Sequence, residues 1–284
     1  MKRLFTTFRY TFLSLKGQIL GWSLGIGLYG VLIVQMFETL AAQQGQLQKM
    51  IANYPKEFLA FFGGDATSIM TPEGYLHMYA FSMLPIIISV FSILVGSGMI
   101  VSDEERGRLD LIIAHPIGRS TFFFGRFLGV LAAMLTIHLM GWIGFSLLLG
   151  SSSLGVNSGQ MVVPFISLIV QIFFYAAFTL LLSLLLPSRN LAAVVSGIFV
   201  VSSYFISSLA FMDEKIMTIS KLMPYHYFQT VLTINDLNLT WILSLLGISI
   251  LMVIFAWFRF VKKDIRLTGE GSWKFRLSIS PKKA

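Results

Sequence analysis

Five stretches of this chain, 17–37, 74–102, 127–188, 190–212 and 237–258, contain no Lys, Arg, Asp or Glu, and they hold 21, 29, 62, 23 and 22 residues. A helix needs about 20 apolar residues to cross roughly 30 Å of hydrocarbon. Four stretches fit one crossing each, and the 62-residue stretch fits two. It divides at "GSSSLGVNSGQ", 150–160, where Gly, Ser and Asn favour a turn. The expected fold is therefore an all-α polytopic membrane protein with six transmembrane helices near 17–37, 79–101, 127–149, 161–186, 190–211 and 240–259. A β-barrel requires short alternating segments, and runs such as "FTLLLSLLL" do not alternate. Composition agrees: the chain is 12% charged, where a soluble domain carries about 25%.

Six crossings put both termini on one side, and that side holds seventeen of the 21 basic residues. Lys49, Lys56, Lys215 and Lys221 are the four on the other side. Basic residues beside membrane segments favour the cytoplasm, so both termini are expected there. The net charge of +8 borders the spans instead of forming a separate domain. It reads as attraction to anionic lipid, with no nucleic-acid partner. The first apolar stretch, 21 residues long, exceeds the 7 to 15 of a signal-peptide core and is expected to stay in the chain. The absence of cysteine excludes disulfides, thiolate metal sites and cysteine nucleophiles.

Residues 1–16 put Leu4, Phe8, Phe12 and Leu15 on one helical face. That spacing suits an amphipathic helix lying in the membrane interface; the plainer reading is an extension of the first span. The six-span domain covers 17–260, with an external loop at 40–78, and a basic tail follows at 261–284. Phe58, Leu59, Phe61 and Phe62 give the external loop an apolar surface for lipid or for capping the bundle. In the second external interval, the aromatics of "MPYHYFQT" resemble an interfacial belt.

"GIGLYG", 25–30, has the spacing of a dinucleotide fingerprint but sits inside an apolar helix. With "GWSLG" at 21–25 and "GRFLG" at 125–129, it reads as small residues for close helix packing. No G-x-x-x-x-G-K-[ST] occurs, so ATP hydrolysis by this chain is not expected. His138 is the one histidine placed within a span, and Gln171 and Tyr175 are candidate hydrogen-bond partners for it. The three residues read as an interhelical contact or as polar points in a translocation route. No metal site and no catalytic constellation is expected.

Between the second and third spans lies "SDEERGRLDLIIAHPIGR", 102–119. Ser102 is expected to cap a short amphipathic helix with Glu104 and Glu105 in its first turn. The helix should stop near His115, because Pro116 removes a donor and restricts its predecessor. Such an element either docks into a partner's cleft or rests on headgroups. The longer stretch "EERGRLDLIIAHPIGRSTFFFGR" resembles a segment of ABC-2 type permeases, the membrane subunits of ATP-binding-cassette exporters. The likeness falls on Glu104, Glu105, Gly107, Leu109, Pro116, Ile117 and Arg119, with Arg126 at the start of the third span.

The resemblance implies a permease subunit in a prokaryotic plasma membrane. It would work beside a second permease copy, driven by separate ATP-binding subunits that carry ATP and Mg; this chain would bind no cofactor. The loop 101–120 would be the coupling element. Glu104 and Glu105 would make polar partner contacts, and Arg106 and Arg108 mixed partner and headgroup contacts, with Gly107 among the matched positions. Leu109, Ile112 and Ile113 would supply buried area, and Pro116 and Gly118 a short turn. The other readings are a membrane-embedded assembly protein that docks a cytoplasmic partner, a secondary transporter and a membrane hydrolase.

The topology has a direct check, since no native thiol interferes. A single Cys at Ser153 or Gln46 should react with an impermeant thiol reagent outside intact cells. One at Ser120 or Ser272 should react only after the inner face is opened, and the reverse pattern overturns the orientation.

Overall fold

The computed structural model describes residues 2–43, 53–55, 71–114, 117–210, 212–233 and 237–263. Phe58, Leu59, Phe61 and Phe62 of the first external loop, and the tail from 264 onward, lie outside them. Among the described residues, six helices are long and apolar enough to cross a membrane, which makes this a multi-pass membrane protein. In chain order, α1 is Lys2–Ser14 and α2, the first span, is Lys16–Ala42. The second span is built from α3 (Pro72–Leu76), a π-helical turn (His77–Phe81) and α4 (Leu84–Gly98). Two short helices follow, α5 (Val101–Glu105) and α6 (Leu109–Ala114). The remaining spans are α7 (Arg119–Ser146), α8 (Val162–Leu185), α9 (Arg189–Ser208) and α11 (Leu239–Lys262), with the short α10 (Glu214–Ser220) before the last.

The expected spans are present, but two begin earlier. The third starts at Arg119 instead of 127, so Arg119 and Arg126 are helical. A charge-free run ends at the first arginine; a helix does not, provided the guanidinium finds a partner. The second reaches back to Pro72, where Thr71 caps it by accepting from the Gly74 amide at 3.0 Å and proline suits a first helical position.

α8 is the central helix: 72% of its apolar window is buried, against 28% for α2, α9 and α11. It packs against α4, α11 and α9, while α2 and α1 pack against α7. Apolar area drives little association between helices in lipid, so close approach and shape carry more of the load. The α2–α7 seam shows this. A Cβ on Gly144 would collide with the backbone of Gly27, and one on Gly30 with the ring of Phe145. The rings of Phe81, Phe145 and Phe165 then close a cluster with centroids 5.6–5.7 Å apart.

"GRFLG" behaves as expected, since Gly125 and Gly129 admit Thr7 and Thr11 of α1, to within 2.6 and 2.7 Å of where a Cβ would stand. Gly21 and Gly25 do not, for nothing lies within 4 Å of theirs. The register Thr7–Gly125, Thr11–Gly129, Ile26–Gly141, Gly27–Gly144 shows α1 and α2 both following α7 in its own direction. α1 therefore lies lengthwise on the bundle as an extension of the first span, rather than crosswise in an interface. Its buried residues are Thr7 and Thr11, because a glycine groove accepts small side chains more closely than the bulky Leu4–Phe8–Phe12 face.

The "MPYHYFQT" segment also differs from expectation. Phe228, Gln229, Thr230 and Val231 are buried, so this stretch seats in the bundle rather than forming a belt toward lipid. Buried backbone outside the α-helices, here short 3-10 turns and extended links, must find partners. Ser203 Oγ accepts from the Tyr225 amide at 3.0 Å, Ser167 Oγ from the Gln229 amide at 2.8 Å, and Tyr225 donates its hydroxyl to the Ser82 carbonyl at 2.7 Å. Beside it, burial holds the His226 imidazole below its ordinary range, with Lys221 adding to the effect.

The glycine seam makes opposite predictions at two glycines. Gly144→Ala forces two backbones apart and should cost about 1–3 kcal/mol. Gly247→Ala, on α11 with nothing within 4 Å, should stabilise by about 0.5–1 kcal/mol through helix propensity. Thermal unfolding of each variant in mild detergent reads the two signs.

Candidate functional site: the charged elbow between the second and third spans

The loop expected to hold one short helix folds as two, joined by a sharp turn. α5 continues α4 almost directly, with Ile100 at its cap position, so Ser102 lies inside the helix instead of capping it. α5 stops at Arg106 because Gly107 takes a left-handed φ of 64°, a conformation that side chains with a Cβ rarely adopt. The Gly107 amide then donates to the Glu104 carbonyl at 3.0 Å and the Arg108 amide to the Asp103 carbonyl at 2.9 Å. This is the Schellman closure of a helix. It gives Gly107 of "EERG" a physical role: it turns the chain so that α6 can begin at Leu109.

Three consecutive acids on α5 engage three different spans. Asp103 pairs with Arg126 of α7, whose guanidinium also stands over the rings of Tyr10 and Phe122, at 5.6 and 5.2 Å. Glu104 accepts from Lys263 Nζ, at the end of α11, at 2.9 Å. Glu105 accepts from the backbone amide of Arg189, at the start of α9, at 2.9 Å; there an anion also meets the positive end of the helix dipole. Consecutive helical residues point about 100° apart, so one short helix can address three directions. Asp103 and Glu104 are 9% and 7% exposed, and such burial requires their partners.

Arg119 completes the junction. Its guanidinium donates to the carbonyls of Val261 at 2.9 Å and Lys263 at 2.7 Å, which are groups left over where α11 ends. Trp257 donates to Ser120 Oγ at 3.1 Å, and the Phe260 ring packs on Phe122 and Phe123. Four cations expected on one side of the membrane, Arg119, Arg126, Arg189 and Lys263, thus gather at one end of the bundle.

The predicted coupling residues divide into two sets. Leu109 is 2% exposed, and Ile112 and Ile117 pack against the core, so the apolar ridge faces the bundle. Glu105, Arg106 and Arg108 are exposed, and so is Leu111, a residue outside the predicted set, at 68%. Gly107 serves the turn. Pro116 and the side chain of Ile113 fall outside what the structure describes. What sequence reasoning missed is the inward pairing: Asp103, Lys263 and Arg189 were not singled out, and only proximity in the fold reveals them.

The three residues placed in a route do not meet as a group. His138 donates from Nδ1 to the Met134 carbonyl in its own helix at 2.7 Å, and its Nε2 has no hydrogen-bond partner among the described residues. Gln171 and Tyr175 bond each other instead. With its amide nitrogen toward Pro224, the arrangement that satisfies both ends, Gln171 donates to the Pro224 carbonyl at 2.9 Å and accepts from Tyr175 at 2.8 Å. The pair therefore helps to seat the buried segment after α10. Among the described residues, no three His, Asp or Glu side chains are grouped to hold a metal.

The family model described as "ABC-2 family transporter protein" matches residues 22–265, which covers most of the first span, the five later spans and the whole elbow. No curated protein matches the sequence.

Removing one partner of a buried ion pair strands the other. Lys263→Ala should therefore destabilise the chain by about 3–5 kcal/mol, whereas Arg106→Ala, on the exposed turn, should leave stability unchanged. Thermal melts in detergent at matched pH separate the two.

Proposed function

The chain belongs to the ABC-2 transporter family and is a membrane permease; from that premise we propose that it is the membrane subunit of an ATP-driven exporter. The α5–α6 elbow takes the thrust of a separate ATP-binding subunit. The observation that carries this reading is the elbow's shape. It is held to the bundle on its inner side and presents Arg106, Arg108 and Leu111 on its outer side. An element that only rested on headgroups would not need three spans fastened to it. Charged groups flanking an exposed leucine suit a protein cleft, where an apolar anchor is ringed by polar contacts.

On this reading the elbow and both termini face the cytoplasm of a prokaryotic cell. α8 occupies the middle of the bundle, so passage through a single copy is closed, and cargo moves between two permease copies. Closure of the paired ATP-binding subunits pushes the elbows and shifts the balance between two arrangements of the spans. Glu104, buried against Lys263, acts from inside the chain. Partner recognition falls to the exposed set, with His138 as the remaining polar point at the level of the spans.

Purification of the full chain from its native membrane in mild detergent, with mass spectrometry and an ATPase assay, tests the reading. An ATP-binding subunit should be recovered with the wild type. Arg106→Glu with Arg108→Glu should weaken that recovery by about 2–5 kcal/mol, the scale of a disrupted interfacial charge contact, without altering membrane insertion. Recovery of the chain alone, under conditions that preserve other membrane complexes, would refute it.

A further inference from the structure

We propose that Asp103, Glu104 and Glu105 are positioning residues that divide a displacement of the elbow among three spans: α7 through Arg126, α11 through Lys263, and α9 through the Arg189 backbone. The transmission part rests on the reading of the elbow as the coupling element; the geometry of the clamp does not.

The elbow's chain connections reach only two spans directly, since α4 precedes it and α7 follows. α9 and α11 begin and end far away in sequence, yet both are fastened to the same five-residue helix, α5. The three fastenings also differ in kind. Asp103 and Arg126 form a charge pair under aromatic rings. Glu104 and Lys263 form a pair with side chains 6% and 8% exposed. Among the described residues Glu105 faces no opposing charged side chain; it meets the first amide of a helix, a contact that moves with the α9 backbone itself. Because α5 ends in a tight glycine closure, the three carboxylates sit on one rigid turn, and a push on that turn reaches all three spans together. A set of acids that merely stabilised the bundle would not need one residue per span; selective consequences distinguish the two roles.

Those consequences can be read in the full chain, reconstituted in lipid nanodiscs, with pairs of spin labels on introduced cysteines, the native chain having none. One label sits on the elbow at Arg106→Cys. The other sits on α7 at Leu128→Cys, on α9 at Asn190→Cys or on α11 at Arg259→Cys, all exposed positions. Glu104→Gln should broaden the elbow-to-α11 distance distribution at least about twofold and leave the other two unchanged. Asp103→Asn should do the same for α7 alone, and Glu105→Gln for α9 alone. The exchange Glu104→Lys with Lys263→Glu should restore the α11 distribution, which also shows that the fold survives. Broadening of all three distances by any one substitution, or an unchanged α11 distance in Glu104→Gln, overturns the clamp.

With the co-purified ATP-binding subunit present, trapping with Mg-ATP and vanadate should shift the distance between α11 at Arg259→Cys and α8 at Leu185→Cys in the wild type. Glu104→Gln should abolish that shift while binding the subunit equally well. An undiminished shift overturns transmission through Glu104. If no ATP-binding subunit binds the wild type, the exporter reading fails, and the nanodisc distances still decide the clamp.

Discussion

Two carboxylates buried under protein at one end of an almost uncharged bundle set the terms for the rest of the structure. Burying Asp103 and Glu104 there is costly unless a cation stands beside each, and those cations come from other spans. The start of α7 must therefore carry Arg126, and the end of α11 must deliver Lys263 to within 2.9 Å of Glu104. The aromatic packing of Phe260 on Phe122 and Phe123, and the Arg119 bonds to the last carbonyls of α11, then follow as the surroundings of that meeting point. A buried ion pair is a weak source of net stability. Its stronger effect here is to fix which helix ends meet, because a mismatched arrangement would leave charge without a partner.

The segment after α10 solves the same problem with neutral groups. Its backbone donors and acceptors are met by Ser167, Ser203 and Gln171, and the Tyr225 hydroxyl by the Ser82 carbonyl. Gln171 and Tyr175, which look from sequence like an interhelical contact or polar points in a route, are thereby accounted for as the seat of the short 3-10 turn that begins at Pro224. His138 stays apart from them, with one nitrogen on its own helix and the other without a hydrogen-bond partner among the described residues.

The spans were legible because membrane crossing imposes a crude requirement, about 20 apolar residues without charge. The same criterion misplaced the start of the third span, since Arg119 and Arg126 are helical residues whose guanidinium groups find partners, backbone carbonyls for the one and Asp103 for the other. The elbow was legible as a charged interruption and by its likeness to a known family segment, but its shape was not. The reading stopped one helix at Pro116, whereas the structure breaks it at Gly107, where a φ of 64° is invisible in a stretch otherwise suited to helix. The partners of the acids were beyond reach of any local pattern. Lys263 looks like any basic residue flanking a last span, and Glu104 like any solvated acid. For α1, periodicity favoured its bulky apolar face, while close approach at Gly125 and Gly129 selected the threonines.

The α2–α7 seam has a consequence for how the protein is made. Gly27 packs on Gly144, a residue synthesised 117 positions later. At roughly 5–20 residues per second, the first span waits in the bilayer on the order of ten seconds before its partner exists. During that interval it must be at ease as a lone helix. Leu20, Leu24, Leu28 and Leu32, each 57–62% exposed in the finished fold, supply a lipid-facing surface that needs no neighbour. The glycines leave a shallow groove whose backbone groups are already bonded within the helix while it is empty. The first span is built to be inserted early and claimed late, so its affinity for lipid and its fit to α7 had to be written on opposite sides of the same helix.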